Sequence, residues 1–331
     1  MTFTNTGRIG LLLASGTAPE DIAKTAQNAE RMGFQELWLP EDYFFLGGIA
    51  GAAIALGATE TIPVGIGVMA SAVRHPAVTA MEIATLARAY PNRIMPGIGH
   101  GIPAWTEQMG LTLPSPMSGL RESLTSIRAL LAGETVSAQG RAFTFRDVAL
   151  SHTVPASVPL YTGVLGDKGI ALTGELADGL LVSALSPVEY VKAARRKLDS
   201  AATEAGRDNG PSLSVLLLAN ITDDDSEAPA LREEMRQILG FYIAAVGPCP
   251  LFGAVGANEQ IIDMLSRGGV ELIASEMPES WIDTFALVGA VEDCRKRISE
   301  YFAAGADSVI VSPVPPDSAD RTLASLQRLL A

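Results

Sequence analysis

The sequence predicts an α/β protein, and specifically a (β/α)8 barrel of the TIM type. Short apolar runs rich in Val, Ile and Leu alternate with longer helical patterns along the 331 residues, which is typical of βα units and a parallel sheet. Eight such runs can be counted, the number that a barrel requires. The predicted strands cover 8–14, 36–40, 64–70, 94–98, 160–164, 179–184, 213–221 and 308–312. An open doubly wound sheet is the alternative.

Helical periodicity and capping signals predict five helices between these strands. The helices cover 19–32, 76–90, 120–132, 187–205 and 291–304. Two long excursions interrupt the alternation, one after the fourth strand and one after the seventh. The first contains 134–150, whose alternating pattern around Gln139 and Gly140 predicts a β-hairpin. The second covers 223–305. Loops after barrel strands build active sites, so we expect both insertions to form a lid or a substrate wall.

The composition limits the classes of function. Lys and Arg number 24 against 37 Asp and Glu, a net charge of −13, and so acidic a surface repels nucleic acids and anionic membranes. Uncharged runs at 43–59 and 237–258 are Gly- and Ala-rich or contain Pro, so neither predicts a membrane span. Two cysteines, Cys249 and Cys294, fit a reducing compartment. We expect a cytoplasmic protein whose residues 1–331 form a single domain.

Charged and aromatic residues follow the second predicted strand directly. Glu41 and Asp42 precede the aromatic run 43–45, which combines carboxylates with flat apolar surface for a planar ligand. The alternative is a helix N-terminus, where acids are favoured by the helix dipole and aromatics belong to the core. Spacing alone leaves both interpretations open.

Glycines mark two further strands. Gly65 and Gly67 lie within the third predicted strand, where they indicate a bulge, the close approach of a ligand, or simply tight packing. Glycine-rich segment 96–101 ends the fourth strand and places His100 at the barrel mouth. Histidine exchanges protons near physiological pH, although a structural, hydrogen-bonded histidine is the alternative.

Segment 163–169 follows the fifth strand and opens a helix. Its glycines and helix start favour anion binding, and Lys168 adds positive charge. The segment lacks the Walker pattern. The sequence also lacks zinc-ligand spacing and a Gly-x-Ser-x-Gly elbow, so we expect no metal site.

Five segments, in the expected order, together resemble the luciferase-like flavin- and deazaflavin-dependent oxidoreductases, especially the branch similar to methylenetetrahydromethanopterin reductase. The segments are LWLPEDYFF at 37–45, VGIGVMASAVRHPAVTAMEIATLA at 64–87, NRIMPGIGHG at 92–101, LGDKGIALTGELADGLLV at 165–182 and VGAVEDCRKRISEYFAAGADSVIV at 288–311.

The resemblance implies that the barrel binds coenzyme F420, or alternatively FMN, at the carboxyl ends of its strands. It implies a non-prolyl cis peptide at Gly67–Val68, on a bulged third strand behind the cofactor ring. Asp42 stands where relatives often have His, and His100 stands where many have Glu. We therefore expect His100 to be the leading proton donor or acceptor, followed by Asp42 and Glu41.

The remaining site residues also rest on this resemblance. The implied cofactor-binding residues are Gly67, Val68, Ala70, Gly99, Gly101, Gly163, Val164, Leu165, Gly166, Asp167, Lys168 and Gly169. Phe44, Phe45 and Trp105 are the expected substrate pocket.

The resemblance implies an enzyme that transfers a hydride between F420 and a small organic substrate. One alternative is an FMN-dependent monooxygenase that uses reduced flavin and O2, and another is a non-catalytic flavin-binding barrel. A separate flavin or F420 reductase is the expected partner, with a homodimer left open.

Overall fold

The computed structural model describes residues 7–316 and 319–330. The strands in these residues are β1 (Arg8–Leu12), β2 (Glu36–Leu39), β3 (Val64–Ala70), β4 (Ile94–Gly99), β5 (Val136–Gln139), β6 (Thr144–Val148), β7 (Tyr161–Gly163), β8 (Gly179–Val182), β9 (Ser212–Thr222), β10 (Ala286–Ala290) and β11 (Ser308–Pro313). The α-helices are α1 (Ile22–Met32), α2 (Gly48–Ala58), α3 (Pro76–Ala89), α4 (Pro103–Gln108), α5 (Pro116–Leu131), α6 (Asp167–Leu176), α7 (Val188–Glu204), α8 (Ala228–Val246), α9 (Pro250–Gly253), α10 (Asn258–Glu276), α11 (Ser280–Phe285), α12 (Val291–Ala303) and α13 (Ala319–Leu330).

The strand order identifies the fold class. Nine strands form one sheet in the order β10-β9-β11-β1-β2-β3-β4-β7-β8, and β9 also pairs with β8. The order therefore closes on itself through eight strands, which are the eight predicted ones, and the predicted (β/α)8 class is confirmed. The two long connections follow β4 and β9, the fourth and seventh strands of this circuit. Their role as a lid or wall stays a prediction.

Local signals explain most of the element boundaries. Helix α1 buries Ile22, Ala26 and Ala29 on one face and ends at Gly33, whose φ of 90° favours glycine. Helix α3 begins with Pro76 after His75, whose Nδ1 accepts the Ala77 N–H at 3.2 Å. This hydrogen bond satisfies one of the donors that a helix start leaves without an internal partner.

Some elements were missed by the sequence analysis or have different ends. Strand β10 lies in the second excursion and pairs in parallel with β9. Helix α2 lies in the uncharged run 43–59 and has no polar face, so the amphipathic pattern that predicts helices is absent. Strands β1 and β8 end two residues earlier than predicted, at Leu12 and Val182. The predicted hairpin is confirmed as the antiparallel pair β5 and β6.

The chain divides into two compact units. The first comprises the described parts of 1–12, 182–196 and 213–331, and the second comprises 13–181 and 197–212. A single domain over 1–331 stays a prediction. No helix in the described part of the chain combines the length and apolarity needed to cross a bilayer.

The first unit is held by its strands and by hydrogen bonds between side chains and backbone. Strand β9 pairs in parallel with β10 and β11. The buried Tyr301 hydroxyl donates to the Ser186 carbonyl oxygen at 2.9 Å. Asp307 accepts the Leu213 N–H at 2.8 Å. These bonds tie α12 and the start of β11 to the neighbouring backbone.

The second unit has a tryptophan at its centre. Trp38 on β2 is fully buried, and its ring meets Tyr161 edge-on at a centroid distance of 5.2 Å. A Cβ on Gly65 would lie 2.3 Å from the Trp38 ring, and a Cβ on Gly67 would lie 2.6 Å from Leu181. The packing interpretation of these two strand glycines is therefore confirmed, because only glycine leaves room for the larger side chains.

Candidate active site

The predicted site residues converge at one edge of the sheet in the second unit. Strands β2, β3, β4 and β7 are successive neighbours, and their pairs are parallel. Parallel neighbours end at the same edge, so the residues that follow these strands lie together. Residues 41–45, 67–70, 99–101 and 163–169 all belong to this edge.

Strand β3 contains the predicted bulge. Its register against β4 shifts between Ile66 and Met69, and the peptide bond Gly67–Val68 is cis. The cis peptide implied by the resemblance is thus confirmed. A second non-prolyl cis peptide, Tyr43–Phe44, was not expected.

The bulge directs the Val68 side chain against three glycine residues. A Cβ on Gly99 would lie 2.6 Å from a Val68 methyl carbon, and on Gly97 or Gly163 it would lie 2.8 Å away. Three glycines on two neighbouring strands therefore leave the volume that Val68 fills. The sequence analysis took Gly99 and Gly163 as cofactor-binding residues, which stays a prediction, and it did not find this packing role.

Glu41 is engaged in a buried ion pair. Its side chain is 1% exposed, and its two oxygens accept Arg74 Nη1 at 2.5 Å and Nη2 at 3.0 Å. The Gly48 N–H and the Tyr43 hydroxyl also donate to it, each at 3.1 Å. The hydrogen bond to Glu41 holds the pKa of the Arg74 guanidinium above its ordinary value, against the effect of burial. With both oxygens occupied, Glu41 is suited to positioning rather than to proton transfer.

Tyr43 connects this ion pair to the bulged strand. Its hydroxyl donates to Glu41 and accepts the Ala70 N–H at 3.4 Å. Burial, followed by the negative charge of Glu41, raises the pKa of Tyr43 to about 12, so its hydroxyl stays protonated at neutral pH. The sequence analysis included Tyr43 among the aromatics at the strand end but not among the site residues.

Asp42 lies beside the ion pair and has a partner of its own. It is half-buried, and its Oδ2 accepts the Ser15 hydroxyl at 2.5 Å. Ser15 follows β1 and was also missed. Its contact fixes the Asp42 carboxylate at the end of β2.

His100 has an unpartnered nitrogen. The residue directly follows β4 and is half-buried. Its Nδ1 is buried and, within residues 7–316 and 319–330, meets no hydrogen-bond partner. Burial lowers the pKa of His100 below its ordinary value, which favours the neutral imidazole. A buried nitrogen without a partner is a natural place for a ligand contact.

The predicted phosphate loop forms a helix start. Gly166 caps α6, and its carbonyl accepts the N–H groups of Gly169 and Ile170 at 2.9 and 3.0 Å. A Cβ on Gly166 meets nothing within 4 Å, whereas one on Gly169 would lie 2.8 Å from Val164. Gly166 therefore faces open space, and Gly169 serves close packing.

The charges around this loop favour an anion. Asp167 pairs with Lys197 at 2.5 Å, which offsets its negative charge. Lys168 is exposed, and its side chain has no ion pair with any described residue. The N-terminal end of α6 thus presents an available ammonium group beside the helix dipole.

The predicted pocket aromatics lie on two segments. Phe44 and Phe45 are 68% and 65% exposed. Trp105 on α4 meets the Tyr43 ring edge-on at 6.3 Å, and Phe44 lies 6.5 Å from the same ring. Tyr43 therefore joins Trp105 and Phe44 in one aromatic cluster, while the substrate role of these rings stays a prediction.

The residues present fit a flavin-type cofactor. Among the described residues the buried Nδ1 of His100 has no polar partner, the Phe44 and Phe45 rings are exposed, and Lys168 offers charge to a phosphate. A planar, polar-edged ring system with a phosphate would supply each of these. Among the described residues, no cluster of three or more His, Cys, Asp or Glu side chains could hold a metal ion.

The chain is similar to known proteins over most of its length. The chain is 29% identical over 302 residues to 5,10-methylenetetrahydromethanopterin reductase of Methanolobus tindarius, covering 89% of this chain and 91% of the relative. It is 30% identical to the enzyme of the same name from Archaeoglobus fulgidus, covering 87% and 88%. The structure of the coenzyme F420 dependent tetrahydromethanopterin reductase from Methanopyrus kandleri matches with a TM-score of 0.83 at 24% identity, covering 97% of both chains.

This structural match shows the same fold. A family model described as luciferase-like monooxygenase matches residues 1–308. The chain therefore belongs to the luciferase-like monooxygenase family.

Proposed function

We propose that this protein is an oxidoreductase that transfers a hydride between coenzyme F420 and a small organic substrate. The observation that carries the proposal is the buried Nδ1 of His100, which has no hydrogen-bond partner in the described part of the chain. His100 follows β4, the strand whose glycines contact Val68 of the bulge. Two relatives that align with nearly the whole length of this chain are named as reductases, which supports the proposal.

Binding is assigned to the loop 163–169 and to the bulge. Lys168 and the first N–H groups of α6 hold the phosphate, since the helix dipole and the ammonium group both favour negative charge there. Val68, fixed against the glycines, would support the ring from behind. When bound, F420 supplies the carbon that gives or takes the hydride.

Proton handling is assigned to His100. Its lowered pKa keeps the imidazole neutral at pH 7, so it can accept a proton, or hold a polar atom of the ligand, at Nδ1. Asp42, held by Ser15, is the second candidate. Glu41 acts through Tyr43 as a positioning residue, because Arg74 and the Gly48 N–H already occupy its oxygens.

Water exclusion is assigned to Phe44, Phe45 and Trp105. Their apolar rings would cover the substrate and so strengthen electrostatic contacts at the reacting atoms. The substrate itself is a small organic molecule.

Three further parts of the proposal concern the setting of the enzyme. A separate F420 or flavin reductase supplies reduced cofactor, and the location is the cytoplasm, as the free Cys249 and Cys294 suggest. A homodimer is the third part of this proposed setting. Residues 1–331 are proposed to act as one domain.

Parallel titration with F420 and FMN, followed by hydride-transfer assays, tests the function. We expect F420 to bind more tightly than FMN. A dissociation constant for FMN of about 1 μM or lower, which corresponds to a binding free energy of about −8 kcal/mol, together with no F420 binding would favour the monooxygenase alternative. Tight binding without turnover of any tested substrate would favour a non-catalytic flavin-binding barrel.

A further inference from the structure

A second buried polar atom without a hydrogen-bond partner among the described residues follows the bulged strand β3. It is the hydroxyl oxygen of Ser71, a residue that is 5% exposed and directly follows Ala70, the last residue of β3. The large majority of buried side-chain polar atoms in proteins are hydrogen-bonded. The exception at Ser71 therefore needs a physical reason, as the one at His100 does.

Ser71 and His100 lie opposite each other at the ends of two neighbouring strands. Ala70 is the register partner of Gly99, and the Ser71 N–H donates to the Gly99 carbonyl oxygen at 2.9 Å. In a parallel ladder this hydrogen bond places Ser71 opposite the residue after Gly99, which is His100. Neighbouring strands lie about 4.8 Å apart, so one small group can reach both side chains.

The two polar atoms do not satisfy each other. Within residues 7–316 and 319–330, the Oγ of Ser71 and the Nδ1 of His100 each meet no hydrogen-bond partner. Ser71 is buried, whereas His100 is half-buried and is followed by the exposed Ile102. A ligand atom would therefore reach this pair from the side of His100 and contact both side chains at once.

The charged groups next to the pair are already engaged, which indicates the kind of ligand atom. Arg74, three residues beyond Ser71, donates to both oxygens of Glu41 at 2.5 and 3.0 Å. An anionic group would thus find its neighbouring guanidinium occupied, so the pair is better suited to a neutral polar atom. A hydroxyl donor and an imidazole acceptor together match the oxygen of an alcohol, which accepts one hydrogen bond and donates another.

We propose that Ser71 and His100 together bind the substrate oxygen, and that the substrate is an alcohol or the ketone or aldehyde to which it is oxidised. This inference rests on the proposed function, because the oxygen is bonded to the carbon that exchanges the hydride. Ser71 is then a catalytic residue, and its O–H donates to the substrate oxygen.

The two side chains have different parts in the reaction. During oxidation the alcohol O–H proton passes to the Nδ1 of His100, the hydride leaves the adjacent carbon for the deazaflavin, and the electron pair left on the oxygen forms the second carbon–oxygen bond. Reduction reverses each transfer. The oxygen carries more negative charge in the transition state than in the alcohol or the ketone, so the hydrogen bond from Ser71 strengthens there. Loss of this hydroxyl should therefore lower turnover more than affinity.

The variants Ser71→Thr and Ser71→Val isolate the contribution of the hydroxyl. The two new side chains have nearly the same shape and share any packing strain, but only threonine keeps an O–H group. In the reduction of cyclohexanone and acetophenone by reduced F420, we expect Ser71→Val to turn over about 10²-fold more slowly than Ser71→Thr. The matched control is the same pair of substitutions at Ser123, which is 2% exposed on α5 and whose hydroxyl also meets no partner in the described ranges. The two control variants should not differ in turnover.

A binding measurement without turnover uses the protein loaded with oxidised F420, which cannot reduce a ketone. The probes are cyclohexanone and methylenecyclohexane, which differ only in a C=O and a C=CH2 group, and the readout is the NMR resonance of the His100 ring. Cyclohexanone should shift this resonance to saturation, and methylenecyclohexane should leave it in place. The dissociation constant of cyclohexanone should be about three- to tenfold higher in Ser71→Val than in Ser71→Thr.

The outcomes separate this inference from the proposed function. Equal turnover by Ser71→Thr and Ser71→Val, equal binding of the ketone and its hydrocarbon analogue, or hydride transfer confined to substrates without a carbonyl or alcohol group would each overturn the assignment and leave the proposed function standing. Failure of F420 to bind would overturn both.

Urea unfolding without ligands adds a readout on the hydroxyl itself. An unpaired buried hydroxyl costs free energy in the folded protein, so Ser71→Ala should leave the urea midpoint unchanged or raise it, as should Ser123→Ala. A lower midpoint in Ser71→Ala together with unchanged ketone turnover would show that a structural water pairs the hydroxyl, and it would overturn the assignment.

Discussion

Replacing Gly99 by alanine tests whether the glycines at the mouth exist to receive Val68. A Cβ at this position would lie 2.6 Å from one Val68 methyl carbon and 3.0 Å from the Gly163 carbonyl oxygen. Carbon atoms pack best at about 3.5–4.0 Å, so Val68 would have to move by about 1 Å. It has little room to do so, because Gly97 and Gly163 receive its other contacts.

Overpacking of this kind typically costs about 1–3 kcal/mol, and we expect Gly99→Ala to lower the free energy of unfolding by that amount. Gly16→Ala is the control, since a Cβ on the exposed Gly16 meets nothing within 4 Å. It should have a near-zero or slightly stabilising effect. Urea unfolding measures the difference as a lower midpoint with an unchanged m-value.

A double-mutant cycle makes the reasoning specific to Val68. Val68→Ala removes the methyl carbon that the new Cβ would meet at 2.6 Å, so Gly99→Ala should cost less in that background, with a coupling of about 1 kcal/mol. Equal costs of Gly99→Ala in both backgrounds would show that the clash with Val68 is not the cause. A loss no greater than that of Gly16→Ala would refute the packing role altogether.

Three further predictions address the site and the fold. His100→Ala should lower turnover by about 10²- to 10⁴-fold with nearly unchanged cofactor affinity, whereas normal turnover per folded molecule would move the proton role to Asp42. Because burial lowers the pKa of His100 while an unfolded histidine titrates near pH ~6.5, stability should fall as the pH drops below that value, and less so in His100→Gln. Lys168→Ala should weaken binding of the cofactor by about 1–3 kcal/mol in a fluorescence titration, and an unchanged affinity would mark Lys168 as a solvated surface residue. Glu30 accepts the backbone N–H groups of 60–62, and these bonds outweigh partial burial and lower the pKa of Glu30 to about 2. Glu30→Gln should therefore lower the free energy of unfolding by about 1–2 kcal/mol at neutral pH. In acid unfolding, the variant should lack the loss of stability that the unsubstituted protein shows as the pH falls from about 4.5 to 2.

The strands of the barrel were predictable because their signal is local. Each is a short apolar run, and a strand buried on both faces needs no partner to be recognised. Helix α2 and strand β10 were not predicted for the same reason. The first has small apolar residues on every face, and the second is a five-residue strand inside a long excursion, so neither has a distinctive periodicity.

The convergence of the candidate site was also predictable, although its contacts were not. Residues that follow neighbouring parallel strands must meet at one edge, and the resemblance added the cis peptide at Gly67–Val68. Glycine signals, however, have several causes. Those at Gly65 and Gly67 reflect Trp38 and Leu181, and no pattern along the chain could separate such packing from the approach of a ligand.

The sequence by itself determined the fold class, the end of the barrel at which the candidate site residues lie and the residue types available there, because periodicity and the order of elements are properties of the chain. Only the tertiary structure decided what each polar group meets. Glu41 finds Arg74 at a separation of 33 residues, Asp42 finds Ser15 at 27, and Asp167 finds Lys197 at 30. Contacts at such separations depend on how elements pack against each other, so they decide that Glu41 is held in an ion pair while the Nδ1 of His100 meets no partner among the described residues.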